Sequence, residues 1–163
     1  MRHLLALLLL VSACSFGERV PPAAEIQAVL KAEVERGPGK LVSMDSIVRS
    51  GWSHMYVFGP YTPESLVADC LGIRSVSDLG RGIESRDDVN LLVFAYPEAS
   101  HRSVAVSRSG ADFAPEAVST RYTREQARFI MRRPPPRSWG HLTPAGAATA
   151  CNATTTARSR FSP

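Results

Sequence analysis

His54 is the one titratable side chain of this chain set among aromatic residues, in the run WSHMYVF from Trp52 to Phe58. An imidazole beside a carboxylate can act as a general base or as a hydrogen-bonding ligand near neutral pH. Asp87 and Asp88 are the acids that would serve it, and Tyr56 and Tyr61 could line a groove beside it. This makes His54, Tyr56, Tyr61 and Asp88 the candidate binding residues. The plainer role for the same residues is a histidine satisfied within the fold and aromatic rings packed on a sheet. Arg74, Arg81 and Arg86 form a second cluster that could meet an acidic partner or a phospholipid headgroup, or simply a solvated loop interspersed with acids.

Motifs for covalent or metal chemistry are missing. A nucleophile elbow needs G-x-S-x-G, and Ser109 before Gly110 lacks that frame. A Ser-x-x-Lys pair fails because Ala28 and Gly37 stand three before Lys31 and Lys40, the only lysines. His54, His101 and His141 are scattered, with no H-x-x-x-H or C-x-x-C. Asp87 and Asp88, being adjacent, would point to opposite sides of an extended segment and share no cation. The sequence therefore assigns no catalytic residue, no metal ligand and no cofactor.

Chemistry of another kind is written into the first fourteen residues. Arg2 and His3 precede an apolar run from Leu4 to Val11 that closes on Ser12, Ala13 and Cys14. Secretory signals have a basic start, an apolar segment of about 7–15 residues and small residues before the cut. A membrane span needs roughly 20 apolar residues, and this run stops at about half that. LVSAC resembles the lipobox of bacterial lipoproteins. That resemblance implies cleavage after residue 13 and a thioether-linked diacylglycerol on Cys14, which would tether the mature chain to a membrane in the cell envelope. It also implies, in a Gram-negative cell, sorting to the periplasmic face of the outer membrane, because Ser15 stands where an inner-membrane signal carries Asp.

The remainder suffices for one domain with a real core and is short for two. Lys plus Arg number 19 against 15 Asp plus Glu. From Arg132 onward there are five arginines and no acid, so the surplus lies in the tail and the body is slightly acidic. A basic pI of this origin does not mark a nucleic-acid surface, and no nucleic-acid partner is expected. With Cys14 acylated, Cys70 and Cys151 are left. Two cysteines give no framework pattern, Cys70 falls on the apolar face of a predicted helix, and the expectation is two unpaired thiols.

The elements that must position these residues are read from periodicity. Residues 14–22 form a tether. Ile26, Val29, Leu30 and Val34 predict a helix from Ala23 to Arg36, stopped by Gly37 and Pro38. Leu41 to Val48 is weakly extended. Trp52 to Phe58, apolar on both sides, predicts a central strand with residues 52, 54 and 56 on one face. Thr62 is placed to cap a helix that begins at Pro63 and ends at Gly72. Residues 73–87 read as loop, and Val89 to Tyr96 with Arg102 to Arg108 as a hairpin whose Val104 and Val106 point inward. Thr123 and Gln126 have capping-box spacing, leaving helix and strand evenly matched after Tyr122. Beyond Pro134 too few apolar residues remain to offset the entropy of ordering, so 134–163 is expected to be a disordered tail, with Trp139 and Leu142 as exceptions able to dock.

The expected architecture is α+β: one domain over residues 23–133, with an antiparallel sheet of about three to five strands backed by two helices. The run WSHMYVFGPYTP, followed later by DDVNLLVF, resembles small bacterial lipoproteins carrying a W-x-x-x-Y-x-F-G-P-Y-T pattern. That resemblance implies a lipobox and a small α+β domain, and it brings no activity or site residues. The expected function is a non-enzymatic binding or assembly module that presents the Gly59 to Pro63 turn and the 73–87 loop to an envelope protein partner. The rival is a periplasmic enzyme or small-molecule binder with a site near His54.

Overall fold

The computed structural model describes residues 21–49, 51–76, 79, 82–133 and 140–151. The leader with Cys14, most of the tether, Arg81, Trp139 and the last twelve residues lie outside them. The domain is α+β, as expected, with two sheets rather than one.

The larger sheet is built around β2 (His54–Phe58) and β3 (Val89–Ala95), which pair antiparallel from His54–Ala95 to Phe58–Leu91. Strand β4 (His101–Ser107) flanks β3, β6 (Thr120–Thr123) flanks β2, and the short β9 (Thr149–Ala150) completes five strands. The apolar runs HMYVF and VNLLVFA are buried on both faces, which is why neither alternates as a half-exposed strand would. On one side Met55, Val57, Leu92 and Phe94 enter the main core. On the other Tyr56, Phe58, Leu91 and Val93 enter a second cluster beneath α3 (Glu64–Leu71). Trp52 departs from the alternation expected of it. It precedes the strand and turns into the main core, where its indole N–H donates to Val48 O at 2.7 Å and its ring meets Phe94 edge-on.

The second sheet closes the main core from the far side. It runs β1 (Leu41–Ser43), β7 (Arg128–Arg132), β8 (His141–Pro144) and β5 (Asp112–Phe113), with β5 and β8 parallel. Helix α1 (Ala23–Glu35) inserts Ile26 and Leu30 into the same core. A one-turn helix, α2 (Met44–Ile47), follows β1 and buries Met44.

Three local features bear on these expectations, two as corrections and one, after Tyr122, as the choice between a helix and a strand that the sequence left even. Thr62 does not cap α3; its hydroxyl donates to Gly59 O at 2.8 Å and pins the preceding turn, while Pro63 takes the cap position. Thr123 and Gln126 do make the reciprocal capping-box bonds, Thr123 N to Gln126 Oε1 at 3.0 Å and Gln126 N to Thr123 Oγ1 at 3.3 Å. No helix follows, because Phe129 and Met131 alternate with exposed Arg128 and Arg132 and so form β7. The motif instead closes the turn that carries the chain from one sheet to the other.

The third feature, again a correction, is the C-terminal segment. Residues 141–144 and 149–150 are strands, not a disordered tail, and the described fold runs on to Cys151. Leu142 docks and is fully buried, as its apolar side chain allowed. The end of the Met131 side chain lies against Gly140, in the space a Cβ there would take. Cys151 is bonded to Cys70 in a disulfide, against the expectation of free thiols. The pairing joins α3 to the end of β9 beside the second, smaller apolar cluster.

A crosslink spanning 81 residues removes chain entropy from the unfolded state worth about 4 kcal/mol. The double variant Cys70→Ala with Cys151→Ala should lower urea unfolding stability by that order. An unchanged urea midpoint would show that the crosslink contributes nothing.

Candidate functional site

The antiparallel register of β2, β3 and β4 gathers three loops at one end of the larger sheet. Strand β2 ends at Phe58 and turns through Gly59–Thr62; β3 begins after Asp87 and Asp88; β4 ends into Arg108, Ser109 and Gly110. Arg108 N donates to Asp88 O at 2.9 Å, locking the last two together. A cleft of about 230 Å³ opens here, lined by Asp87, Arg108, Ser109 and Asp112.

Asp112 is the anchor of this end. Its carboxylate, only 6% exposed, accepts from Arg108 Nε and Nη2, each at 2.9 Å, from Asn90 Nδ2 at 3.1 Å and from Phe113 N at 3.0 Å. Burial pushes the Asp112 carboxyl up, but the bonds from Arg108 and Asn90 outweigh it and hold the group below the usual carboxylate range. Arg108 spends its remaining bonded N–H on Asp87 O at 2.9 Å, and its guanidinium is raised by the hydrogen bond to Asp112. Behind the pair, His141 Nδ1 lies 3.6 Å from Asp112 Oδ2, too long for a hydrogen bond. Asn90 Oδ1 and His141 Nδ1 are the buried side-chain atoms without a partner among the described residues.

Tyr61 lies on the turn after β2, at this same end of the sheet. It is 62% exposed, with a backbone φ of +59° that L side chains rarely adopt. Its N–H is shared between Ile83 O at 3.2 Å and Arg86 O at 3.3 Å, so the strained turn is clamped to the residue just before Asp87. Gly59 gives the turn its entry, because a Cβ there would lie 3.0 Å from the Val118 side chain. Asp88 is held by Arg86 through bonds of 2.9 and 2.7 Å, which keep its carboxyl below the ordinary value.

Of the residues proposed from sequence, Tyr61 and Asp88 therefore meet at this end. His54 and Tyr56 do not join them. His54 pairs with Ala95 and Thr123 at the opposite end of the sheet, and seven residues of strand from Asp88 to Ala95 span about 23 Å. Its nearest side-chain partner is Ser53, at 3.2 Å from Nδ1. Burial, with the charge of Arg121, lowers its pKa and leaves the ring neutral at neutral pH. Tyr56 is 8% exposed and stacks on Phe58 in the second cluster, where it serves packing. Arg74 is exposed and Arg86 is engaged with Asp88. Sequence reasoning weighed Ser109 only as a nucleophile and passed over Arg108 and Asp112. Asn90 was the available signal: a buried amide inside the run VNLLVFA demands a polar partner from elsewhere.

Among the described residues, no group of three or more His, Cys, Asp or Glu is placed to hold a metal ion, and no helix is long and apolar enough to cross a membrane. Comparison with family models, curated proteins and solved structures finds no match to the chain.

Asp112→Asn should cost about 2 kcal/mol, the scale of hydrogen bonds to a charged group, reduced by the partial exposure of Arg108. Because the folded pKa of Asp112 is depressed, its contribution is present above the unfolded value near about 3.9 and lost as pH falls through the folded one. The variant should accordingly show a shallower acid limb in stability against pH. Tyr61→Gly should raise stability by about 1 kcal/mol by relieving the left-handed backbone. Urea unfolding reads both, and a destabilised Tyr61→Gly would show that the turn is unstrained.

Proposed function

We propose that this chain is a lipid-anchored cell-envelope protein whose domain is a non-enzymatic binding module, presenting the Gly59 to Pro63 turn and the adjoining cleft to another envelope component. Tyr61 carries the proposal. A large aromatic side chain held in water on a strained backbone works against stability, and such strain concentrates where a ligand is met. At the same end of the sheet lies a cleft with polar groups of both kinds. Membrane attachment through Cys14 is supported by the leader LVSAC and its resemblance to a lipobox. The Cys70–Cys151 disulfide fits the same location, since structural disulfides belong to oxidising compartments. The sorting position Ser15 favours the periplasmic face of an outer membrane in a Gram-negative cell. The enzymatic rival needed His54 beside Asp88, and their separation along β3 removes that arrangement.

Two measurements in cells test this. A fatty-acid analogue should label the wild type and leave Cys14→Ala unlabelled; a soluble, unlabelled wild type would overturn the anchor. A photo-crosslinking residue in place of Tyr61 should form an adduct in the envelope, while the same residue in place of half-exposed Val29 on α1 should not. Equal trapping at the two positions, or none at position 61, would overturn the binding surface.

A further inference from the structure

We infer that the cleft beside Tyr61 is a subsite for a neutral sugar ring, the pyranose unit of an envelope polysaccharide. This rests on the reading of that end of the domain as a binding surface and names what it binds.

The hydrogen-bonding inventory is mixed in the manner a polyhydroxylated ring requires. A guanidinium offers five N–H donors. Arg108 uses three, two on Asp112 and one on Asp87 O, and its side chain is 41% exposed, so two donors remain at the cleft. The Asp87 carboxylate lines the cleft and is exposed, and among the described residues no side-chain hydrogen bond occupies it. Ser109 adds a hydroxyl, tied to Ser107 Oγ at 2.8 Å and able to donate or accept. A sugar presents hydroxyls that do both, within one ring.

Charge argues against an anion, which would face Asp87 and Asp112 and find the Arg108 guanidinium already paired in bidentate fashion with Asp112. A cation would meet that same guanidinium beside the exposed Asp87 carboxylate, and the spermidine titration below separates that case from a sugar. A neutral ligand meets no repulsion and can engage both the remaining donors and the Asp87 carboxylate.

Size and the aromatic ring agree. At about 230 Å³ the cleft falls below the roughly 300–1,000 Å³ of pockets for drug-sized molecules, which leaves room for one ring with its neighbours in the chain extending outward. Tyr61 supplies a flat, exposed face on the turn that is clamped to Arg86, the residue before Asp87. The C–H face of a sugar is complementary to the negative face of an aromatic ring, and a tyrosine offers that area at small entropic cost. The clamped turn fixes the backbone from which the ring projects.

The test uses the full chain purified in a detergent without a sugar headgroup and labelled with 3-fluorotyrosine. Of its four tyrosines, the Tyr61 fluorine resonance is identified by its loss in Tyr61→Phe. The probes are the N-acetylglucosamine tetramer and cellotetraose, against spermidine and inorganic phosphate. The expected result is a saturable shift of Tyr61 alone with at least one of the two sugars. In calorimetric titrations with that sugar, Tyr61→Ala and Asp87→Ala should each bind it about tenfold more weakly, on the scale of a binding hot spot, with unchanged thermal midpoints. Tyr61→Phe should retain most of the affinity. Movement of Tyr61 by spermidine or phosphate and not by sugars would overturn the ligand class, and no response to any probe would overturn the subsite. An adduct at position 61 in cells without a sugar response would defeat this inference and leave the binding surface standing; no adduct would defeat both.

Discussion

Because β2 and β3 are apolar on both faces, no arrangement that leaves either face of this pair in water is stable, and the chain has to supply two covers. One is the second sheet with α1, and it is generous: Trp52, Tyr122, Phe129 and Leu142 are fully buried in the interface between the sheets. The other is α3 with the loop after it, and it is thin, since an eight-residue helix offers only Val67 and Leu71 as buried side chains. Each fully buried large apolar side chain contributes about 1.5–3 kcal/mol, so the thin cover has few such terms. The Cys70–Cys151 bond sits at this weaker layer, tying α3 to the strand at the sheet's edge. A covalent tie there takes the place of the apolar area that the short helix lacks.

The same register that buries the strands decides where polar groups can collect. Asn90 lies on the inward side of β3, in line with Leu92 and Phe94, and is wholly buried. An amide there is tolerated only with a partner, and Asp112 is that partner. A buried carboxylate in turn needs compensation, which comes from the fork of Arg108 reaching in from the end of β4. The network is thus a consequence of one polar residue in an apolar strand. It also fixes the geometry of the cleft, because Asp112 and Arg108 are both its support and its lining. Tyr122 repeats the principle elsewhere: its buried hydroxyl donates to Ala117 O at 3.1 Å, and burial pushes its pKa up to about 12.

What could be read from the sequence was whatever depends on local pattern. The runs HMYVF and VNLLVFA, the inward Val104 and Val106, and the first helix all sit where their periodicity puts them. Failures came where a longer-range pairing outweighed local pattern. Trp52 satisfies its indole on Val48 and leaves the alternation. Thr123 and Gln126 spend capping-box bonds on a turn because Phe129 and Met131 have a sheet to enter. The C-terminal segment carries little apolar surface, yet backbone pairing with β7 and β6, one buried leucine and a disulfide order it through Cys151. The candidate site divides the same way. Tyr61 and Asp88 were visible as residue types, whereas Arg108 and Asp112 matter through a pairing set by strand register. His54 and Asp88 were joined on paper because nothing in residue spacing reveals that β3 holds them at opposite ends.

Tyr61 poses the sharpest question of economy in the molecule. Glycine at this position would adopt φ near +60° at little steric cost, and tyrosine pays about 1 kcal/mol or more for it. The strain persists because the surroundings over-determine the turn. Thr62 holds Gly59, Gly59 is pressed on Val118, and the Tyr61 N–H is shared by two carbonyls. None of those restraints needs the tyrosine side chain, which points into water. A ring that contributes so little to the folded state, on a backbone that disfavours it, is what the proposed partner would account for. At the same end of the sheet, a free carboxylate, an exposed hydroxyl and a half-engaged guanidinium are the groups such a partner would meet first.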